Sequence, residues 1–374
     1  MQIARIGQSM VSVAIVLFTL DAYRSPQLAG LAAFFSLFPG LLVSPVAGAL
    51  LDRHGRTRLV VLDYFVALAA LVLMGVLGLA GRLPAWLLIA IAGLASLTTP
   101  LSTTGLRSLF PLIVPTHLWE RVNAIDSTGY VVATVIGPPL AAFMVALAGG
   151  PVAFIVIGLS FGLSAIVLLG TPDPRTETSS TGSLLMDAWQ GLLYTWRNRT
   201  LRALGFSIST LNLNSGTFTI VVPLIVLERL HLNKAVVGLV LAVQGLTGIV
   251  SAFFCGRIDT RNRERMMLAL PMFGTGAAVA LLLKSNLIVV VLVMALTGLL
   301  NGPLDIALFT LRQRRTDKSW TGRAFAVSMS FNALGIPIGA ALAGVMAARS
   351  IEAAIVLGVV TSLIAGVIAA LLIE

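Results

Sequence analysis

The chain has 374 residues, of which 57% are hydrophobic and 11% charged, with a net charge of +10 and a mean hydropathy of +0.98. That leaves too little polar surface to face water on every side, so a soluble fold is excluded and lipid is the expected solvent. The excess of cations would point to nucleic acid in a soluble protein, but here they fill short gaps between apolar runs, where they act as topology signals; no nucleic-acid partner is expected. One cysteine, Cys255, permits no intrachain disulfide, and three scattered histidines, His54, His117 and His231, offer no ligand spacing, so neither a metal nor a cofactor is expected.

The first apolar run, 3–22, lacks a small-residue cleavage site and leads directly into another, so it reads as a retained first span. Further runs follow at 27–51, 58–80, 84–106, 122–148, 151–170, 202–227, 235–256, 266–284, 286–310, 322–347 and 351–373. Each is long enough for a membrane helix, which needs roughly 20 apolar residues. With twelve spans and the amino end inside, the inner gaps and adjoining ends hold 19 of the 25 lysines and arginines and the outer ones 6, which sets both termini in the cytoplasm. An odd number of spans would scramble that separation. The longest connection, 171–200, ends in a stretch where Leu185, Trp189, Leu192, Leu193 and Trp196 recur at helical spacing before Arg197 and Arg199, as in a helix lying among lipid headgroups.

That connection divides the chain into a bundle at 1–170, a cytoplasmic linker at 171–200 and a bundle at 201–374. The two halves carry weakly similar stretches at an offset of 202 residues, WERVNAIDSTGYVVATVIGPPLAA and SWTGRAFAVSMSFNALGIPIGAALAG, which place Arg121 on Arg323 and Gly137 on Gly339. The expected fold is an all-α membrane protein, twelve transmembrane helices in two pseudo-symmetric six-helix bundles. Parallel six-span repeats of this kind build transporters with a site at the repeat interface.

Ionisable groups within a bilayer are costly and usually functional. Asp63 and Asp126 fall near the cytoplasmic ends of spans three and five, where gating ion pairs and simple helix-end capping are both open readings. Asp305, deeper in span ten and following Asn301 and Pro303, is the candidate protonatable coupling group. Span seven reads SISTLNLNSGTFT, too polar to face lipid all round, and its Gly216 and Pro223 mark a place where it can unwind. No nucleotide-binding glycine loop and no local catalytic constellation is present, so the chain is not expected to be an enzyme.

One charge knot stands out between spans two and three. The stretch GALLDRHGRTR packs Asp52, Arg53, Arg56 and Arg58 into seven residues between apolar runs. With Gly48 and Gly55, these residues match the GxxxDRxGRxR signature, and the chain resembles the major facilitator superfamily over essentially its whole length; GRIDTRNRER, Gly256 to Arg265, is a degenerate second copy. The run from Pro100 through ERVNAID to Gly137 and Pro138 is most similar to the bacterial branch of enterobactin exporters and macrolide-efflux permeases.

Several expectations come with that resemblance. Spans one, four, seven and ten line a central cavity, so Gln8, Thr99, Asn212, Asn214, Ser215 and Asn301 become candidate cavity residues, joined by Gln244 and Asn332; interhelical hydrogen bonding is the alternative role for each. A lining rich in hydroxyls and amides and poor in charge suits a neutral or amphipathic solute. Gly48 is expected to let span two approach span eleven, with Asp52 facing the amino end of that helix near Arg323, while Arg53 or Arg56 pairs with Glu120 or Asp126 as a cytoplasmic latch. Gly129, Gly137 and Pro138 resemble the drug-antiporter motif on span five, with close helix packing as the alternative. The chain departs from many proton-coupled relatives in span four, which is uncharged from Leu94 to Gly105.

The implied function is alternating-access export of a drug, siderophore or secondary metabolite from a bacterial inner membrane, by a monomer exchanging it for protons. A metabolite importer or uniporter, and a sensor or scaffold that no longer transports, are the rivals.

Overall fold

The computed structural model describes residues 2–171, 184–257, 260–261, 263–284, 286–317 and 321–373. Sixteen α-helices occur among them: α1 Gln2–Tyr23, α2 Pro26–Phe35, α3 Phe38–His54, α4 Arg56–Leu79, α5 Ala85–Ser96, α6 Thr99–Ile113, α7 Trp119–Ala148, α8 Gly150–Leu169, α9 Leu184–Arg197, α10 Arg199–Leu224, α11 Lys234–Cys255, α12 Glu264–Ala280, α13 Leu287–Arg314, α14 Thr321–Ala333, α15 Gly335–Ala347 and α16 Ile351–Leu372. They make up twelve helical stretches long and apolar enough to cross a membrane, in the places the hydropathy pattern assigns to spans.

Three spans are broken. The second splits between α2 and α3, the fourth between α5 and α6, and the eleventh between α14 and α15. In each, a proline sits in the first turn of the second piece: Pro39, Pro100 and Pro337. Its missing N–H and its ring disfavour a continuous helix through the preceding turn. Proline alone does not decide the outcome, because α7 runs unbroken through Pro138 and Pro139. The breaks at spans two and four meet: Gly40 lies against the carbonyl of Ser96, an approach that leaves no room for a side chain. Span seven does not unwind at Gly216; α10 is continuous to Leu224 and passes into a π-helical turn at Ile225–Arg229.

The described residues form two compact units, one within Met1–Arg24 and Phe35–Leu185, the other within Ser25–Phe34 and Met186–Glu374. The amphipathic helix α9 therefore belongs with the second unit, as does most of α2.

In the first unit α1 lies along α7 and α4 along α8. In the second, α10 packs on α15 and α16, and α11 on α13. Lipid gives apolar helices little reason to associate, so close backbone approach and interhelical hydrogen bonds carry the packing. Gly137 of α7 sits against Ser9 and the Ile6 carbonyl of α1, and Gly339 of α15 against the Leu213 carbonyl of α10. The two glycines are the pair that the 202-residue offset superposes, and each serves the same joint in its own unit. Four helices of the second unit start on side-chain caps: Asn198, Asn233, Asn286 and Ser350 accept from the N–H groups of Leu201, Val236, Val289 and Ala353 at 2.8–3.1 Å.

Candidate translocation surfaces

Most exposed positions on the spans are apolar, as lipid requires; α4, for example, exposes Leu62, Phe65, Leu73, Val76 and Leu79. Two helices of the second unit depart from this. On α10, Ser215 is exposed and Asn212 and Thr219 half-exposed, and at 3.6 residues per turn the three fall within roughly 60° of arc. On α13, Asn301 and Asp305 are exposed on an arc roughly 150° away from exposed Ile288, Leu292, Leu296 and Leu299. A bare amide and carboxylate on a span, turned away from its apolar side, fit a water-filled path and not lipid.

The polar stripe on α13 continues into the protein. Arg312, two turns from Asp305 and within roughly 20° of it, is completely buried. Its guanidinium lies 5.7 Å from the centre of the Phe309 ring and 3.0 Å from the Met329 sulfur. With the Asn332 amide turned to satisfy both its ends, Arg312 donates to Asn332 Oδ1 at 2.7 Å and Asn332 Nδ2 donates to the Ser328 carbonyl at 3.1 Å. A charge this deep persists only with such partners. Its depth comes from α14, whose Met329 and Asn332 cover it.

The other expected cavity residues divide. Asn212 Nδ2 donates to the Asn332 carbonyl at 2.9 Å, just before the break between α14 and α15, so it satisfies an acceptor that a broken helix leaves open. Asn214 is a correction: it is buried, lies 100° round α10 from Ser215, and reaches Gly358 of α16, where its Oδ1 finds no hydrogen-bond partner among the described residues. Asn332 is likewise buried, beside Arg312, and lines no exposed wall. Gln244 is half-buried and donates to Thr297 of α13 at 3.3 Å, joining α11 to α13.

In the first unit, Gln8 on α1 and Thr99 on α6 are half-exposed, and Thr103 and Thr104 are exposed. Asp63, buried on α4, faces the hydroxyls of Ser102 and Thr98. Asp126 of α7 pairs with Arg5 of α1, whose second guanidinium nitrogen donates to the Asp126 carbonyl at 2.7 Å. Asp126, one of the two acids expected to meet Arg53 or Arg56, thus joins α7 to α1, in line with Gly129 and Gly137, which lie on the Gln2 and Ser9 side chains. The two residues of the pair are separated by 121 positions.

Of the knot between spans two and three, Gly55 takes φ +92° as the single residue joining α3 to α4, a conformation favouring glycine. Arg53 and Arg58 are exposed and Arg56 is half-exposed. Gly48 lies on α3, and the side chains of Asp52, Glu120 and Arg323 lie outside the described residues. The approach of span two to span eleven is described elsewhere, at Gly30 and Gly344, whose backbones meet within the second unit.

Twelve spans, with exposed polar faces on otherwise apolar helices, point to a membrane transporter. The chain belongs to the Major Facilitator Superfamily, whose model matches residues 3–214 and 203–374. It is 34% identical over 368 residues to the uncharacterized MFS-type transporter y4rN of Sinorhizobium fredii, covering 98% of this chain and 91% of that one. It is 25% identical to the multidrug efflux pump Tap of Mycobacterium tuberculosis, over 91% of this chain and 84% of the pump. Macrolide efflux protein A of Streptococcus pyogenes is 20% identical over 93% of this chain and 87% of its own. Among solved structures, a bacterial homologue of the iron transporter ferroportin in an inward-facing state superposes with a TM-score of 0.72 at 17% identity, covering 98% of this chain and 95% of that one, which shows the shared fold.

Proposed function

We propose that this transporter exports small neutral or amphipathic compounds across the bacterial inner membrane by alternating access, exchanging them for protons. The observation carrying the reading is the exposed arc of α13, where Asn301 and Asp305 stand beside Phe309 and away from the leucines and the isoleucine that the same span exposes on its other side. Two relatives named for efflux, the multidrug efflux pump Tap and macrolide efflux protein A, support that direction. Asn301, Ser215 and Asn212 offer a solute donors and acceptors without fixed charge, and Asp305 is the group that gains and loses the proton. Loss of its charge, two turns from buried Arg312, changes the field along α13 and gives the proton a way to bias the helix's position. The knot at Asp52 and its arginines acts as the latch on the cytoplasmic side.

The test is accumulation by everted vesicles of a macrolide and a cationic dye on energisation. Asp305→Asn should abolish the gradient-driven part while leaving downhill exchange. Unchanged coupling in that variant removes Asp305 from the mechanism; uptake in the opposite direction makes the protein an importer, and absence of flux for every compound leaves the scaffold reading. Asp52→Asn should slow turnover more than it weakens binding, and the reverse pattern would refute the latch.

A further inference from the structure

A cavity of about 330 Å³ lies in the second unit between α9, the first turns of α10, and α14. Its walls include Trp189, Leu193, Trp196, Phe206, Val327 and Phe331. Three of the aromatic rings form a row, Trp196 to Phe206 at 5.9 Å and Phe206 to Phe331 at 5.5 Å, both edge to face. The space equals roughly ten waters at ~30 Å³ each, but such walls give water few partners. The cation in the lining is Arg202, exposed, its guanidinium 5.9 Å from the centre of the Trp196 ring and bonded to the Trp196 carbonyl at 3.2 Å.

The corner is held firmly. Tyr194 donates to Asp317 Oδ2 at 3.2 Å and accepts from the Asp317 N–H at 3.0 Å. Asn198, while capping α10, donates to the Arg315 carbonyl at 2.9 Å. These bonds strap α9 to the end of α13. Arg197 and Arg199 are exposed beside Arg202, and Trp189 and Trp196 are 60% and 53% exposed. Exposed indoles and arginines at the end of a span are the make-up of a headgroup-level surface.

We propose that this cavity binds one anionic phospholipid, an acyl chain lying along the aromatic row and the phosphate against Arg202. The charge selects the lipid: a cation beside an apolar slot at the membrane boundary favours a negative headgroup over a zwitterionic one. The site is separate from the polar faces of α10 and α13 and does not depend on what the protein transports.

The test uses the full chain with Trp86, Trp119 and Trp320 changed to Phe, reconstituted in phosphatidylcholine liposomes, leaving Trp189 and Trp196 as reporters. A small fraction of lipid with brominated acyl chains is added, as phosphatidylglycerol in one series and phosphatidylcholine in the other. The expected result is quenching by the brominated phosphatidylglycerol with an apparent affinity about fivefold higher, the factor that ~1 kcal/mol per cation gives. Arg202→Ala should reduce the preference to none. Val327→Phe, which fills the slot, should remove the enhanced quenching with helix content unchanged by circular dichroism. Arg257→Ala, a control at an exposed cation lying over Phe253, should leave the preference intact. Equal quenching by the two lipids, a preference that survives Arg202→Ala or Val327→Phe, or one lost equally in Arg257→Ala overturns the proposal.

Discussion

Replacing Gly339 with alanine tests the packing that holds the second unit together. A β-carbon there would lie 2.7 Å from both the carbonyl carbon and the Cα of Leu213, and closer still to its carbonyl oxygen, where ordinary contact begins near 3.4 Å. All three atoms are backbone, so no rotamer relieves the clash, and the contact with the oxygen requires α15 to move from α10 by about 1 Å or more. A gap of that size forfeits a quarter to a half of each dispersion contact along the seam. Overpacking typically costs about 1–3 kcal/mol, against a gain of up to about 1 kcal/mol in helix propensity, so a net loss of about 1–2 kcal/mol is expected. Gly248 of α11 is the internal control, because a β-carbon there meets only the Gly298 carbonyl, at an ordinary 3.6 Å, and alanine should stabilise by roughly 0.4–1 kcal/mol. The assay is reversible unfolding in mixed detergent micelles followed by tryptophan fluorescence. Opposite signs for the two substitutions are expected; Gly339→Ala as stable as Gly248→Ala would refute the reasoning.

Arg5→Ala takes the guanidinium from the buried Asp126 carboxylate and should destabilise by up to about 3–5 kcal/mol in the same assay, while Arg5→Met combined with Asp126→Leu should recover most of the loss; equal losses in the single and paired variants would remove the ion pair as the cause. Asn212→Leu leaves the Asn332 carbonyl without its donor and should cost about 1–3 kcal/mol, with faster amide exchange at the break between α14 and α15 as the local signature. Tyr194→Phe removes both bonds to Asp317, about 1 kcal/mol each, and should speed hydrogen exchange across α9 without slowing transport of a saturating substrate.

Much of the fold was legible because lipid imposes a single rule on every span. Length and apolarity located the twelve spans, since in lipid each must satisfy its own backbone. The GxxxDRxGRxR signature identified the superfamily, and the 202-residue offset found the pair Gly137 and Gly339 before any contact was known. The polar run on span seven, SISTLNLNSGTFT, likewise marked a helix that needs somewhere other than lipid to face.

The roles that depend on a distant partner were not legible. Asn212 and Asn214 are two residues apart and chemically identical, yet one serves the broken end of α14 and the other is buried on α16, since consecutive positions on a helix turn by 100° and only the neighbours' places say what each meets. Asp126 found Arg5 across 121 residues, and Arg312 became an interior charge because α14 covers it. Sequence determined that this chain crosses a membrane twelve times as a transporter, because the cost of exposing polar backbone to lipid is paid locally, helix by helix. Tertiary structure decided which polar groups pair within each unit and which remain exposed, because burial is set by helices far apart in the chain.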